Sequence, residues 1–271
     1  MVLRKIKIYT ILGIILIGAL LLSGCTETPQ TEAPDETHSD TADESTHSEE
    51  ETEHHWGYEG ELGPEHWSDL GYTDCSGNQQ APIDIPNGTP VHSADISFNY
   101  EPTALNIVNN GHSIKVEYDE GSSIEVENST YKLLQFHFHS LSENTIMGEH
   151  SDMEMHLVHQ SDSGEYAVIG VMMDSGNESS AYASIWEHMP ATAGEVETIS
   201  GVSVDADDLL PATQTYYRFD GSFTTPPCTE GVKWFLMNTP VELSAEQIDA
   251  FKEIYSNNYR PVQPLNDREF Y

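Results

Sequence analysis

Three histidines on two short segments are the residues of this sequence best suited to chemistry. His137 and His139 are separated only by Phe138, and His156 follows seventeen residues after His139. Side chains alternate between the two faces of a strand, so the first two histidines share a face, and a neighbouring strand offers the third. Three neutral imidazoles suit Zn²⁺, which in catalytic sites keeps a fourth position open for water. The pattern predicts a catalytic zinc centre, although a His-x-His pair alone also occurs on strands that bind no metal.

Histidines that ligate a metal need acceptors for their second ring nitrogen. Gln135 lies two residues before His137, and Glu154 lies two residues before His156, so each shares a face with the histidine that it would support. We predict that both accept these hydrogen bonds. His159 falls on the opposite face from His156 and is interpreted as a packed structural histidine.

The elements that must position these residues are mainly strands. Alternating apolar residues predict strands at 114–118, 123–127 and 167–171. Helices are few and short, and Ser244 to Gln247 form a capping box that opens one of them. Roughly 217 residues from His55 onward suit one domain.

Seven short motifs occur in order between His55 and Tyr271. They are His55-Trp56-Gly57-Tyr58, Gly63-Pro64-Glu65-His66-Trp67, Gln80-Ala81-Pro82-Ile83, Asn109-Asn110-Gly111-His112-Ser113, the pair of histidine segments, Ser222-Phe223-Thr224-Thr225-Pro226-Pro227-Cys228, and Asn258-Tyr259-Arg260-Pro261-Val262-Gln263-Pro264-Leu265-Asn266. With these motifs the stretch resembles an α-class carbonic anhydrase.

The resemblance implies a fold and an activity. The fold is mainly β with short helices (α+β), in a single domain at 54–271 around a large, mostly antiparallel central sheet. The activity is the reversible hydration of carbon dioxide to bicarbonate and a proton by a zinc-bound hydroxide, with one Zn²⁺ per chain. The partners are therefore the small molecules CO₂, water and bicarbonate.

The resemblance also assigns roles around the metal. Thr224 would accept a hydrogen bond from the hydroxide and donate its own hydrogen to Glu143. His112 would carry the proton to solvent, because an imidazole titrates near neutral pH. Tyr58 and Asn110 would line the water path.

An apolar wall for carbon dioxide rests on the resemblance alone, since its members would be equally at home in an ordinary core. They are Val158, Val168, Phe223 and Trp234, and Thr225 is expected in the same substrate pocket. Four positions depart from the family pattern. Ala81 stands where Ser is common. Phe223 stands where many relatives carry Leu and is expected to narrow the pocket or slow a side esterase activity. Asn144 stands where His is frequent and is expected to weaken packing behind the ligands, and Lys115 adds positive charge near the shuttle path.

Two other functions remain open. A carbonic-anhydrase-like binding module would have lost a zinc histidine, and His137, His139 and His156 are all present, as are Thr224 and Glu143. A zinc-dependent esterase would share every ligand, so the sequence does not separate it from the hydration reaction.

The N-terminal segment predicts export. Arg4, Lys5 and Lys7 precede a nearly unbroken apolar run, and the run ends in Ser23-Gly24-Cys25. These are the marks of a secretory signal peptide at 1–24, and Cys25 resembles a lipid-modified cysteine. An uncleaved membrane anchor is the alternative, although the run is shorter than the ~20 residues that span a membrane comfortably. We expect a lipid-anchored protein in the cell envelope or on the extracellular surface.

Residues 25–53 are rich in Glu, Asp, Thr, Ser and Pro and contain almost no apolar residue. Such a composition cannot bury enough apolar surface to offset chain entropy. The sequence therefore predicts an acidic, disordered tether between the lipid and the domain.

With Cys25 assigned to the lipid, Cys75 and Cys228 remain as a pair in an oxidising compartment, and we predict a disulfide between them. A metal site at these cysteines is disfavoured, since neither has a neighbouring cysteine at ligand spacing.

The charge balance is strongly acidic, with 46 Asp and Glu against 10 Lys and Arg. Loss of the signal peptide removes three of these ten bases and brings the net charge from −36 to near −39. Self-repulsion of this size is screened in concentrated salt, so the composition indicates a halophilic protein. A surface that collects cations, or one that avoids nucleic acid and anionic membranes, is the alternative. Nucleic-acid binding is disfavoured because basic patches are missing, and nothing indicates an oligomer.

Overall fold

The computed structural model describes residues 55–93 and 95–270. The predicted signal peptide, the tether and Cys25 lie outside the described residues, and they stay predictions. Within the described ranges, no helix is both long enough and apolar enough to cross a membrane.

The described regular structure consists of β-strands with a few short helices. The strands are β1 Asp84–Ile85, β2 His92–Ser93, β3 Ser97–Asn99, β4 Thr103–Asn109, β5 Ile114–Glu117, β6 Ser123–Val126, β7 Ser129–His139, β8 Thr145–Ile146, β9 Met153–Gln160, β10 Tyr166–Ser175, β11 Val196–Val204, β12 Thr215–Ser222 and β13 Glu230–Leu243. The α-helices are α1 Ala183–Glu187 and α2 Ala245–Lys252, and single 3₁₀ turns lie at Gly60–Leu62, Pro64–His66, Thr73–Ser76 and Asp207–Leu209.

One large sheet organises the domain. Its strands follow the order β11-β4-β5-β7-β9-β10-β13-β12-β2, and β3 and β6 are attached through the pairing of β6 with β7. The β10–β13 pair is parallel, whereas the other described pairs of this sheet are antiparallel. The expected mainly β fold around a large, mostly antiparallel sheet is confirmed.

Alternation along the central strands separates the two faces of the sheet. Phe136 and Phe138 on β7 are fully buried in the larger core on one face. The residues between and beside them, Gln135 and His137, project from the other face, where Val158 belongs to a second apolar cluster. The strand that carries His137 and His139 thus has apolar residues packed on both faces of its sheet.

Helix α2 begins as the sequence predicts. The Ser244 side chain accepts a hydrogen bond from the Gln247 backbone N–H, and the Gln247 side chain accepts one from the Ser244 backbone N–H. Ile248 and Phe251 on its inner side are buried in the larger core.

Candidate metal centre and active-site cavity

The three predicted ligands converge on one face of the sheet. His137 and His139 lie at the end of β7, and His137 stands directly opposite His156 of β9. Residues opposite each other in an antiparallel pair point to the same side. One ring nitrogen from each of the three histidines lies within 4.8 Å of those of the other two.

In each histidine, the ring nitrogen that points away from the other two histidines donates a hydrogen bond to an oxygen atom of the protein. His137 Nδ1 donates to Gln135 Oε1 at 2.8 Å, and His156 Nε2 donates to Glu154 Oε1 at 2.9 Å, so both predicted contacts are present. His139 Nδ1 donates to the backbone oxygen of Asn258 at 2.7 Å. The nitrogens left to converge are therefore Nε2 of His137, Nε2 of His139 and Nδ1 of His156.

This donor set fits a zinc ion. His139 Nε2 is buried and has no hydrogen-bond partner among the described residues, which is what a nitrogen reserved for a metal requires. Burial lowers the pKa of His137 and of His139 well below the usual value, so both rings are neutral, as ligands must be. Burial also acts to lower the pKa of His156, but the carboxylate of Glu154, with a smaller contribution from Glu143, outweighs it and raises that pKa.

Glu154 accepts several hydrogen bonds behind the metal ligands, and the Asn144 side chain donates one of them. The Asn144 side chain donates to Glu154 Oε1 at 2.7 Å, while the backbone N–H groups of Glu143 and Asn144 both donate to Oε2 at 2.8 Å. Asn144 Oδ1 in turn accepts from the Ile83 backbone at 3.0 Å. The expectation that Asn144 weakens this region is wrong, because its short amide satisfies donors and acceptors on both sides.

Glu143 lies directly beside the ligand nitrogens. Its Oε1 accepts from the Arg260 backbone N–H at 2.7 Å, and its Oε2 lies 3.5 Å from His139 Nε2 and 3.8 Å from His156 Nδ1. Burial raises the pKa of Glu143 to about 7, although His156 and the nearby Thr224 hydroxyl act to lower it. The Thr224 side chain is thus close to this carboxyl, but Oε2 has no hydrogen bond of normal length. Donation from Thr224 to Glu143 stays a prediction.

A cavity of about 240 Å³ opens next to two of the ligands. All five residues predicted for the substrate pocket line it, together with Gln135, His137, His156, Thr224, Pro226 and Pro227. Phe223 packs edge-on against Tyr166, with ring centroids 4.8 Å apart. Tyr166 was missed from the sequence. Its position two residues before Val168, on the same face of β10, is the signal that could have identified it.

His112 lies on the tight turn between β4 and β5. Its half-buried ring stacks on Trp56, with centroids 3.7 Å apart and planes 8° from parallel. Burial, and then the charge of His55, lowers the pKa of His112 from its usual value. Asn110 Oδ1 accepts from the backbone N–H groups of His112 and Ser113, so Asn110 shapes this turn.

Tyr58 packs edge-on against Trp56 and lies on the His112 side of the site. Burial, followed by the charge on Glu143, raises the pKa of Tyr58 well above its usual value, so its hydroxyl stays protonated. The proposed water path along Tyr58 and Asn110 stays a prediction.

The loop that carries Thr224 is tied to the N-terminal part of the domain. The predicted disulfide between Cys75 and Cys228 is present, with Cα atoms 4.9 Å apart. The buried guanidinium of Arg260 donates to the backbone oxygens of Cys75 and Ala81 and to Gln80 Oε1, each at 2.8 Å. Gln80 Nε2 then donates to the Cys228 backbone oxygen at 3.1 Å. Arg260 was missed from the sequence, since nothing in its local pattern indicates a buried arginine.

Asn258 was also missed. Its side chain donates to the backbone oxygens of His112 and Phe138 and accepts from the Ser140 backbone N–H, while its own carbonyl holds His139. One asparagine therefore joins the turn that carries His112 to the end of the ligand strand.

Comparison with known proteins agrees with this geometry. Residues 62–271 match the family model for eukaryotic-type carbonic anhydrase. Carbonic anhydrases from Nostoc sp. and Neisseria gonorrhoeae are 43% identical over 221 residues and 42% identical over 219 residues, each covering 79% of this chain and 84% and 86% of those proteins.

Solved structures show the same likeness in three dimensions. The α-carbonic anhydrase from Thermovibrio ammonificans, in complex with the inhibitor sulfanilamide, superposes with a TM-score of 0.77 at 42% identity, covering 80% of this chain and 98% of that one. A hyperthermostable carbonic anhydrase from a hydrothermal vent chimney gives 0.74 at 44% identity, with the same coverage. The chain belongs to the α-class carbonic anhydrase family.

Proposed function

We propose that the protein catalyses the reversible hydration of carbon dioxide at the centre formed by His137, His139 and His156. The observation that carries the proposal is the convergence of one ring nitrogen from each of the three histidines, with the second nitrogen of each ring already hydrogen-bonded, beside a small cavity whose lining includes Val158, Val168 and Trp234. A metal site closed on all sides would be structural, whereas this one borders open space.

The residues around the centre divide the work. A zinc ion held by the three nitrogens would lower the pKa of a water molecule that it binds and so supply hydroxide near neutral pH. Thr224 would accept the hydrogen of the attacking hydroxide and direct its lone pair towards the substrate carbon, provided its own hydrogen is donated to Glu143. Because burial raises the pKa of Glu143 to about 7, the carboxylate form that accepts this hydrogen bond is populated at and above neutral pH.

The cavity wall would hold the apolar substrate. Val158, Val168 and Trp234 belong to one buried apolar cluster, and Trp234 packs edge-on against His156 with ring centroids 4.9 Å apart. Carbon dioxide makes no strong hydrogen bonds, so a small apolar recess beside the ligands favours it over water.

His112 would accept the proton that each hydration cycle releases. The His112 side chain is half-exposed, and stacking on Trp56 fixes the position of its ring. An imidazole can take the proton from ordered water and pass it to buffer. In weak buffer, His112→Ala should lower the turnover number without changing zinc content, and concentrated imidazole should restore it.

The decisive experiment is stopped-flow CO₂ hydration by the zinc-loaded full chain, with bound metal quantified and a sulfonamide as inhibitor. His139→Gln should lose zinc and activity together, while His188→Gln, a histidine bonded to the Ser184 backbone away from the site, should keep both. A metal-loaded protein without turnover would support the binding-module alternative. Ester hydrolysis without CO₂ hydration would support the esterase alternative.

We further propose that the enzyme is exported and held to a membrane by lipid on Cys25. The support is the sequence pattern of residues 1–25. Intact-mass measurement of the purified protein should give a mature chain that begins at Cys25 and carries acyl chains. Cys25→Ser should lack them, and an unprocessed N-terminus would contradict the proposal.

The acidic composition supports a halophilic surface. Of the 46 acidic residues, 11 lie between Thr26 and His55, so most belong to the folded domain, which has few basic partners. Repulsion between exposed carboxylates falls off within about 8 Å at physiological ionic strength and within about 3 Å at 1 M salt. The melting temperature should therefore rise from dilute buffer to molar KCl, and a flat or falling profile would contradict the proposal.

A further inference from the structure

Lys115 lies on the same face of the sheet as the metal ligands. It stands directly opposite His137 in the β5–β7 pair, and Glu117 stands directly opposite Gln135. The two residues that flank Lys115 in sequence are fully buried in the core on the opposite face. Alternation therefore directs the Lys115 and Glu117 side chains to the ligand side.

The two side chains form an ion pair with a definite orientation. Lys115 Nζ lies 2.9 Å from Glu117 Oε1, and the lysine side chain is 27% exposed whereas the glutamate side chain is 57% exposed. The lysine side chain is thus the more buried partner of the pair and the glutamate side chain the more exposed one.

The other described bases lie on other segments of the chain. Lys132 pairs with Asp162 on the surface, and Arg218 and Lys233 both pair with Glu127. The guanidinium of Arg260 is buried against backbone oxygens. Lys252 is on α2 and Arg268 is near the C-terminus, and neither lies on the ligand strands.

This placement matters because the two carbon species of the reaction differ in charge. A protein with a net charge of −36 has a negative electrostatic potential that repels bicarbonate. Carbon dioxide carries no net charge and is not repelled. A single lysine at the strand position opposite a ligand histidine is a local exception to the repulsion. Glu117 holds it in place and at the same time partly offsets its charge.

We propose that Lys115 forms an anion subsite beside the metal centre that receives bicarbonate, with Glu117 as its positioning residue. The inference rests on the proposed function, because it names the residue that handles the anionic partner of that reaction. Other small oxyanions of similar size would compete for the same ammonium.

The test compares Lys115→Gln and Glu117→Gln with Lys132→Gln, a control that removes an exposed lysine of the neighbouring strand. Bicarbonate is titrated as a product inhibitor of CO₂ hydration by the zinc-loaded full chain, at constant ionic strength. Loss of one unit charge beside a bound anion in a partly hydrated site predicts an inhibition constant raised about three- to tenfold in Lys115→Gln. Glu117→Gln should lower the constant, since the ammonium loses its counter-charge, and Lys132→Gln should leave it unchanged.

A second readout does not depend on turnover. Bicarbonate that binds the folded protein raises its melting temperature, so thermal shifts with sodium bicarbonate are compared with sodium chloride at equal ionic strength. The shift should shrink in Lys115→Gln and persist in Lys132→Gln. Unchanged inhibition constants and thermal shifts in Lys115→Gln, or changes of the same sign in both pair variants, would overturn the inference.

The two proposals fail in different ways. A zinc-loaded wild-type protein without hydration activity would refute the proposed function, and the thermal shift would still test bicarbonate binding at Lys115. An active wild type with a fully insensitive Lys115→Gln variant would refute the subsite alone.

Discussion

Gly170 lies beside Glu154, the carboxylate that orients the metal ligand His156. A side chain at position 170 would displace this carboxylate. It stands opposite His156 in the β9–β10 pair, and a Cβ added there would lie 2.7 Å from Leu236 Cδ1 and 3.0 Å from Glu154 Oε1. The leucine methyl can turn away at little cost. Glu154 Oε1 cannot, because it accepts from both His156 Nε2 and Asn144 Nδ2.

The size of the effect of Gly170→Ala follows from these contacts. Glu154 Oε1 must retreat by roughly 0.4 Å to reach ordinary contact with the new methyl group. Hydrogen bonds to a charged group contribute about 1.5–3 kcal/mol, so losing about half of one costs roughly 1 kcal/mol, and loss of a partner that orients a ligand weakens metal binding about 10- to 100-fold. We expect zinc affinity to fall about tenfold and the unfolding free energy of the zinc-free protein to fall by about 1–3 kcal/mol from overpacking.

The assay is competition for zinc with a chromophoric chelator, alongside urea unfolding of the zinc-free protein. Gly57→Ala is the matched control, because its Cβ would meet only Leu62 Cβ at 3.8 Å. Adding Leu236→Val to Gly170→Ala should recover stability but not zinc affinity, since it relieves only the leucine contact. Wild-type zinc affinity in Gly170→Ala, or full recovery of affinity by Leu236→Val, would refute the role given to Glu154.

Three further predictions concern the pH dependence, the disulfide and the cavity wall. Burial lowers the pKa of His159 to about 3, against about 6.5 unfolded, so the folded state binds fewer protons and the unfolding free energy should drop by about 2 kcal/mol from neutral pH to pH 5. In urea unfolding, His159→Gln should lack this decrease of the unfolding free energy between neutral pH and pH 5. The same pH dependence in the variant and the wild type would contradict the prediction. Replacing Cys75 and Cys228 by Ser opens a link across 153 residues and should lower the unfolding free energy by about 3–5 kcal/mol, whereas a loss below about 1 kcal/mol would show that the link constrains little. Phe223→Leu removes the ring that packs on Tyr166 and should raise p-nitrophenyl acetate hydrolysis relative to CO₂ hydration, and unchanged rates for both substrates would argue against a narrowed pocket.

Local pattern was enough to predict the ligand strands. The alternation around Phe136 and Phe138 requires Gln135 and His137 to share the opposite face, and the structure places them there because the phenylalanines fill the larger core. The capping box before α2 was likewise readable, since its two hydrogen bonds join residues only three apart. Predictions of this kind depend on neighbours in sequence.

The acceptor for the third ligand, His139, could not be predicted from local sequence in the same way. His139 donates to a backbone carbonyl at Asn258, 119 residues further along the chain, and any residue at that position would supply such an oxygen. The side chain of Asn258 is the specific feature, because it satisfies backbone groups on either side of the ligand strand. Only the folded arrangement reveals which carbonyl reaches the ring.

Asn144 shows why a departure from a family pattern is a weak guide to its effect. A histidine and an asparagine differ in volume, which led to the expectation of poorer packing. What the position requires, however, is a donor towards Glu154 and an acceptor towards the Ile83 backbone, and the amide provides both. The same buried carboxylate fixes His156, and Gly170 leaves room for its oxygen. The orientation of His156 therefore depends on the hydrogen bonds made to Glu154 and on the space left for its side chain. The effect of a substitution near Glu154 should be judged by these two quantities.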